Sequence, residues 1–277
     1  MKNLIIIDGH NYMFRAFYGV PKVARTKSGQ QVNAVYGFFA FLRRTVALLP
    51  NHHIFVVFDS ETGTDAKHAE MEAYKANRNN DESVFGQLPI IKAILDDMGV
   101  KWLEHPDYEA DDIIASAAAN WMVDNDDVFI SSEDMDFVQL LCDRVSLIRS
   151  FKGKPFHFDC ACAAERLGIP PKMFVDYRAL IGDKSDNIRG IPGIGPKTAV
   201  ELLNQYGDLQ NIFSNISDIT PGLSNKLASN REIAFKNQKF ITMNACIPDV
   251  LPTDLPMIAN HIINQKITAL LDKIGIE

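Results

Sequence analysis

Cysteine is scarce in this 277-residue chain, and its four copies, Cys142, Cys160, Cys162 and Cys246, form no zinc pattern. The Cys160-x-Cys162 pair has no second Cys pair or His pair near it, which argues against structural zinc and against a disulfide framework. Reduced thiols in a cytoplasmic protein are the expectation. Long apolar runs are missing too. No stretch reaches about 18 apolar residues, so no membrane-spanning helix and no membrane partner are expected. The run Leu4-Ile5-Ile6-Ile7 is too short for a secretory signal and meets an acid at once. Positive charge is also short, with 28 Lys and Arg against 35 Asp and Glu and a net charge of −7. That balance argues against a nucleic-acid binder, which normally carries a basic face. Setting aside the nine carboxylates discussed below leaves 26 acids against 28 bases, so the objection falls if those acids serve a metal.

What is present reads as an ordinary globular chain, 47% hydrophobic and 23% charged, long enough for a large core. The stretch that organises it is Tyr108-Glu109-Ala110-Asp111-Asp112, which opens an Ala-rich helix predicted from Ala110 to Met122. The helix dipole accommodates one or two acids in a first turn. Three acids, joined by further acids at strand ends, repel one another unless a cation sits among them. Oxygen-rich clusters of this kind suit Mg²⁺ or Mn²⁺.

Those further acids follow from the order of the chain. Leu4–Ile7, Ile54–Phe58 and Val128–Ser131 are continuous apolar runs, the mark of strands covered on both faces in a parallel sheet. They end in Asp8, Asp59 and the pair Asp134 and Asp136. A single Asp after a strand often only starts a turn. Repeated at three strands, it is the arrangement α/β folds use for sites. Further strands at Lys101–Leu103 and Val145–Ile148, alternating with helices at Ala34–Leu49, Gln87–Met98 and Ala110–Met122, predict a doubly wound, mainly parallel α/β fold over residues 1–157. A polar insertion at about 61–87 interrupts it, and residues 158–277 read as helical. Within the helical part, Gly182-Asp183-Lys184-Ser185-Asp186-Asn187-Ile188-Arg189-Gly190-Ile191-Pro192-Gly193-Ile194-Gly195-Pro196-Lys197-Thr198 exposes backbone N–H groups ahead of a helix, a phosphate-binding geometry. It is not a nucleotide loop, because Pro196 separates Gly195 from Lys197 and no strand precedes it. A helix–hairpin–helix gripping a nucleic-acid backbone at about 188–198 fits better.

At these residues the chain resembles the 5′-nuclease superfamily, the 5′–3′ exonuclease domain of bacterial DNA polymerase I and the phage flap endonucleases. The shared motifs are Ile7-Asp8-Gly9, Val57-Phe58-Asp59, Tyr74-Lys75-Ala76-Asn77-Arg78, Glu109-Ala110-Asp111-Asp112, Ile130 to Asp136 and Gly182 to Thr198. The resemblance implies two divalent-metal sites, with Mg²⁺ or Mn²⁺ as the ion. Asp8, Asp59, Glu109 and Asp111 would hold the first, with Asp112 close by and Asp134 facing both, while Asp136, Asp183 and Asp186 would serve the second. Two cations roughly 4 Å apart activate water, neutralise the phosphate and stabilise the departing oxygen. The insertion is similar to the family's helical arch. Lys67 and Arg78 are then expected as the catalytic cations, Lys75 as a further phosphate contact, and Tyr74 as a base-stacking ring. Tyr12, Arg15 and Tyr36 match positions near the substrate, although an aromatic beside a sheet is more often core. Arg189, Gly190, Gly193, Gly195, Lys197 and Thr198 would bind the duplex backbone, with a K⁺ ion on main-chain oxygens.

Three departures from the family pattern stand out: Asn79-Asn80 for a Pro-rich turn, Glu133 for Gly, adding charge near the second site, and Arg189 for Pro. The expected protein is a free-standing, monomeric, metal-dependent 5′–3′ exonuclease or 5′-flap endonuclease of DNA replication or repair, acting on DNA with a 5′ end or flap. The rivals are a catalytically weak DNA-binding relative and an RNA-cleaving nuclease of the PIN-like class.

Overall fold

The computed structural model describes residues 2–21, 24–26, 29–49, 52–60, 62–63, 69, 71, 74, 82–257 and 259–273. Its centre is the sheet that the apolar runs predict. Strands β1 (Asn3–Asp8), β2 (His52–Phe58), β3 (Lys101–Glu104), β4 (Val128–Ser131), β5 (Val145–Phe151) and β6 (Lys154–Phe158) lie in the order β3-β2-β1-β4-β5-β6. The first five are parallel, and β6 returns antiparallel to β5. The apolar pattern does not predict β6. Its two-residue turn, Lys152-Gly153, places both residues at positive φ (50° and 75°), the geometry usually written Asn-Gly or Asp-Gly.

The strands β1, β2 and β4 carry continuous apolar runs because each feeds two cores. Ile5 and Ile7 of β1 enter the core under α1 (Gly9–Gly19), α2 (Asn33–Val46) and α4 (Leu88–Met98), whereas Leu4 and Ile6 enter the core under α5 (Ala110–Asp124). The same alternation separates Ile54, Val56 and Phe58 from Phe55 and Val57 in β2. The chain runs from β1 outward to β3, then crosses back to lay β4 on the other side of β1. The carboxyl ends of β1 and β4 therefore flank the switch point where open α/β sheets place their sites. A short helix α3 (Glu82–Phe85) precedes α4. Of the insertion expected at 61–87, the described residues are 62, 63, 69, 71, 74 and 82–87.

Beyond the sheet the chain is helical, as expected: α6 (Cys160–Leu167), α7 (Phe174–Ile181), α8 (Pro196–Tyr206), α9 (Leu209–Ser214), α10 (Pro221–Ser229) and α11 (Arg231–Ile241). A third core that includes Leu180, Ile194, Leu203 and Ile212 holds this part together. Between α7 and α8 the strands β7 (Gly182–Asp183) and β8 (Ile188–Arg189) form a tight antiparallel hairpin. Its base is closed by two glycines, since a Cβ on Gly190 would lie 2.2 Å from the Ile181 carbonyl carbon and one on Gly182 would lie 2.3 Å from Gly190 N.

The last stretch leaves the helical part, with which the sequence pattern groups it, and returns to the sheet. Met243, Ile247, Val250 and Leu255 join the core under α5. His53 Nδ1 donates to Leu255 O at 2.8 Å, and Asn260 Nδ2 donates to Val46 O (2.8 Å) and Leu49 O (3.1 Å). Ile263 and Ile267 of α12 (Asn260–Lys273) are fully buried against α2 and α4, worth about 1.5–3 kcal/mol each. Among the described residues, no helix is long and apolar enough to cross a membrane.

Candidate functional site

The first acid cluster is assembled from strand ends and the start of α5. Asp8 ends β1 and caps α1, accepting from Asn11 N at 3.0 Å. Its second oxygen accepts from Ser132 Oγ at 2.7 Å. Burial pushes Asp8 up to about 7, against the downward pull of these two hydrogen bonds, and the charges of Asp59 and Asp134 add to the rise. Asp59 lies just past β2, and its Oδ1 accepts from Ala110 N at 2.9 Å. It thereby caps α5, whose own N-cap residue, Glu109, makes no side-chain capping bond. Asp59 N donates to His10 Nδ1 at 2.9 Å. That bond needs the lone pair on Nδ1, so the 3.9 Å between this nitrogen and Asp59 Oδ2 is a near approach and not an ion pair. Glu109, only 1% exposed, accepts from the Tyr74 hydroxyl at 3.0 Å.

The second cluster is carried by the segment after β4 and by the β7–β8 hairpin. Carboxylate oxygens of Asp136, Asp183 and Asp186 lie within 4.8 Å of one another, and this is the only such acidic or ligand-type group among the described residues. Asp136 follows Asp134, which accepts from Asp136 N at 2.9 Å. Burial raises the Asp136 carboxyl above its ordinary range, helped by Asp134 and, against the pull of Arg178, by Asp183 and Asp186. Asp183 is fixed by Ser185, whose N and Oγ both donate to its Oδ1, at 2.7 and 2.5 Å. The two clusters are electrically continuous. Asp134 acts on both Asp8 and Asp136, while Glu109, Asp186 and Asp111 together push the Tyr74 hydroxyl upward after the effect of burial. An all-oxygen donor set with mutually repelling, buried and half-buried carboxylates fits a hard divalent cation.

Several expected site residues sit elsewhere than the sequence suggests. Asp112 is buried, and its Oδ1 accepts from Asn244 N at 2.8 Å, so it braces the returning chain. Tyr74 is 3% exposed and packs edge-on against Phe240 at 4.8 Å. Its ring is core and does not face a base. Tyr12, expected near substrate, is likewise core at 1% exposure, with its hydroxyl 2.6 Å from both Thr45 Oγ1 and Ser131 Oγ. Tyr36 is half-buried against the first core. Arg15 lies over the Phe41 ring (5.0 Å) and 3.5 Å from Glu133. Glu133 turns toward Arg149 (3.1 Å) and Ser150 N (2.6 Å), so cations and an N–H group meet the charge expected near the second site. Lys67, Lys75 and Arg78, with Asn79-Asn80, lie outside the described residues.

At the hairpin, Arg189 and Lys197 are exposed and Thr198 is half-buried. Lys197 stands 4.0 Å from Glu201, one turn along α8. The three glycines differ in what their bare backbone serves. Gly190 is required by the close approach to Ile181, and Gly193 by its φ of 78°. Gly195, the N-cap of α8, has a φ of −104°, and a Cβ there would meet nothing within 4 Å. Among the described residues, neither space nor φ requires glycine there. Sequence reasoning misses Lys226, whose Nζ would lie 2.7 Å from a Cβ on Gly193, Ser132 under Asp8, and Arg178 between Asp136 and Asp183. Lys226 and Arg178 have no local signal, since each acquires its place only through tertiary contact, whereas Ser132 lies within the Ile130 to Asp136 motif.

Comparison with known proteins agrees with this architecture. The family model described as "5′-3′ exonuclease, N-terminal resolvase-like domain" matches residues 3–168, and "5′-3′ exonuclease, C-terminal SAM fold" matches 169–261. The chain belongs to the 5′-3′ exonuclease family. A 5′-3′ exonuclease of Aquifex aeolicus is 33% identical, over 87% of this chain and 83% of that protein. DNA polymerase I of Treponema pallidum is 32% identical over 97% of this chain, which spans only 28% of the polymerase. A bacteriophage T5 flap endonuclease, solved in a pseudo-enzyme-product complex with DNA and metal ions, shares the fold. Its TM-score is 0.70 at 21% identity, covering 98% of this chain and 99% of that one.

Proposed function

We propose that this chain hydrolyses DNA phosphodiesters as a 5′–3′ exonuclease and 5′-flap endonuclease, using two divalent cations, Mg²⁺ with Mn²⁺ as a substitute. The observation that carries the reading is the cluster of Asp136, Asp183 and Asp186, linked to Asp8 and Asp59 by the charge of Asp134, which acts on both Asp8 and Asp136. Binding phosphate alone gains nothing from acids that repel it, so a purely DNA-binding role leaves these acids unexplained. Asp8, Asp59, Glu109 and Asp111 would hold the first cation, and Asp136, Asp183 and Asp186 the second, with Asp134 between them. The ions would supply the positive charge that activates water and offsets charge on the phosphate and leaving oxygen. The chain's own part is to fix the carboxylates before substrate arrives. Ser132 and Asn11 lock Asp8, the α5 terminus locks Asp59, and Ser185 locks Asp183.

Duplex DNA would lie along the helical part, with its phosphates on the backbone N–H groups around Gly193 and Gly195 and on Arg189, Lys197, Thr198 and Lys226. A K⁺ ion on main-chain oxygens there belongs to the same proposal. So do the catalytic use of Lys67 and Arg78, the division into a catalytic part (1–157) and a DNA-binding part that begins near 158, and action as a monomer. The reading is tested on 5′-labelled flap, nicked and single-stranded DNA, with an RNA flap alongside. EDTA is expected to abolish cleavage, and added Mg²⁺ or Mn²⁺ to restore it. Undiminished cleavage in EDTA overturns the metal mechanism, and preferred cleavage of the RNA flap overturns the DNA assignment.

A further inference from the structure

We propose that Arg178 is a resident counter-cation of the second acid cluster, holding Asp136 and Asp183 together and setting how tightly a divalent ion binds there. The inference rests on the two-cluster reading above and deepens it. Arg178 sits in the last turn of α7, immediately before the hairpin that carries Asp183 and Asp186. One nitrogen, Nη2, lies 3.1 Å from Asp136 Oδ1 and 3.0 Å from Asp183 Oδ2, so it joins carboxylates from two separate elements. The guanidinium is steadied from one side by the Phe174 ring, whose centroid is 5.4 Å from Cζ.

The manner of pairing matters more than its closeness. An arginine that serves as a permanent strut usually makes two parallel hydrogen bonds to one carboxylate. Here a single nitrogen is shared between two acids, and among the described residues Arg178 Nε is buried without a hydrogen-bond partner and Asp136 Oδ1 makes no aligned hydrogen bond despite its short distance. The contact is mainly attraction between charges, with little directional bonding to lose. Three carboxylates within 4.8 Å repel one another, and positive charge among them offsets that repulsion. A guanidinium supplies one unit and cannot lose its proton. A divalent ion placed among the same oxygens supplies two and repels the guanidinium. The arginine and the ion thus compete for Asp136 and Asp183, which keeps the cluster assembled before loading and weakens the ion once it is loaded.

The test compares the full chain with Arg178→Met, Arg178→Lys and Asp186→Ala, measuring Mn²⁺ binding by electron paramagnetic resonance and melting temperature in EDTA and in Mg²⁺. Arg178→Met is expected to tighten the weaker class of bound Mn²⁺ by about tenfold, since one nearby positive charge is gone. It should also melt lower in EDTA and gain more from Mg²⁺ than the wild type. Arg178→Lys keeps the charge and is expected to stay near wild-type affinity, and a tightening as large as with Met overturns the charge argument. Should Arg178→Met not fold in EDTA, its Mn²⁺ affinity is read on protein refolded with the ion. Unchanged or weaker Mn²⁺ binding in Arg178→Met overturns the inference alone, provided Asp186→Ala removes a Mn²⁺ class. If Asp186→Ala binds as much Mn²⁺ as the wild type, the second metal site is wrong and this inference falls with it.

Discussion

The first acid cluster is held by the sheet and the second by a hairpin, and the difference decides what keeps each set of like charges together. Asp8 and Asp59 are fixed by neutral donors: a serine hydroxyl, the Asn11 amide and the first free N–H of α5. These come from the segment after β4 and from the first turns of α1 and α5, helices packed against the sheet. Asp183 also has neutral donors, from Ser185, but what joins it to Asp136 is a full positive charge, Arg178, across two elements that share no sheet. A cluster fixed by dipoles can stay assembled whether or not a cation is present. A cluster fixed by an ion pair changes its balance as soon as another cation arrives. The sheet-bound set therefore reads as the preformed half of the site, and the hairpin-bound set as the half whose occupancy is adjustable.

The sharpest way to break this comparison is to remove charge from the adjustable half. Asp183→Ala and Asp186→Ala leave the glycine turn after the hairpin in place, and each is expected to lower cleavage by orders of magnitude. DNA affinity should hold or rise, because repulsion of phosphate falls. Cleavage at the wild-type rate in both variants ends the assignment of a second metal site.

Acid titration probes the preformed half. The Asp8 carboxyl is raised from 3.8 to about 7 in the folded chain. The folded state then keeps a proton that the unfolded state gives up above about pH 4, so this group's contribution to stability is full in acid and is lost as pH rises toward 7. A rise of that size corresponds to at most about 4 kcal/mol for the metal-free chain. Calorimetry in EDTA should give a lower melting temperature at pH 8 than at pH 5, and Mg²⁺ should raise it more at pH 8. Equal Mg²⁺ effects at the two pH values count against cations and protons sharing these oxygens.

The glycine turn ahead of α8 offers finer tests. Gly195→Val adds a side chain where the chain itself leaves more than 4 Å of space, at a φ of −104° that valine accepts. Melting temperature is expected to stay put while affinity for nicked and flapped duplexes falls and single-strand binding persists. Normal duplex affinity in the folded variant would leave this glycine without a role in DNA binding. The smallest effect belongs to Lys197→Ala, which should lower the slope of log affinity against log salt by about one, for one lost phosphate contact. An unchanged slope would assign Lys197 to solvent and to Glu201.

Much of the fold is written locally. Apolar runs such as Leu4–Ile7 and Ile54–Phe58 are strands because they alternate between two cores, and the acids that follow them sit at strand ends because the runs stop there. The acids after β1, β2 and β4 and the glycine-rich hairpin are accordingly legible in the chain itself. What local pattern cannot carry is the direction of a side chain whose partner lies far along the chain. Asp112 is one residue from Asp111 on α5, yet it turns to Asn244, 132 positions away. Tyr74, expected to stack on a base, and Tyr12, matched to a position near the substrate, are both core, where Phe240 and Thr45 meet them. β6 hides behind a Lys-Gly turn whose positive φ values only the paired strands reveal. The strand-and-helix alternation, the acid inventory and the hairpin are set by the order of residues alone, since each depends on neighbours a few positions apart. Folding in three dimensions settles which acids face one another, which are diverted to bracing, and that Arg178 stands between Asp136 and Asp183, because those outcomes depend on contacts made after the chain has closed on itself.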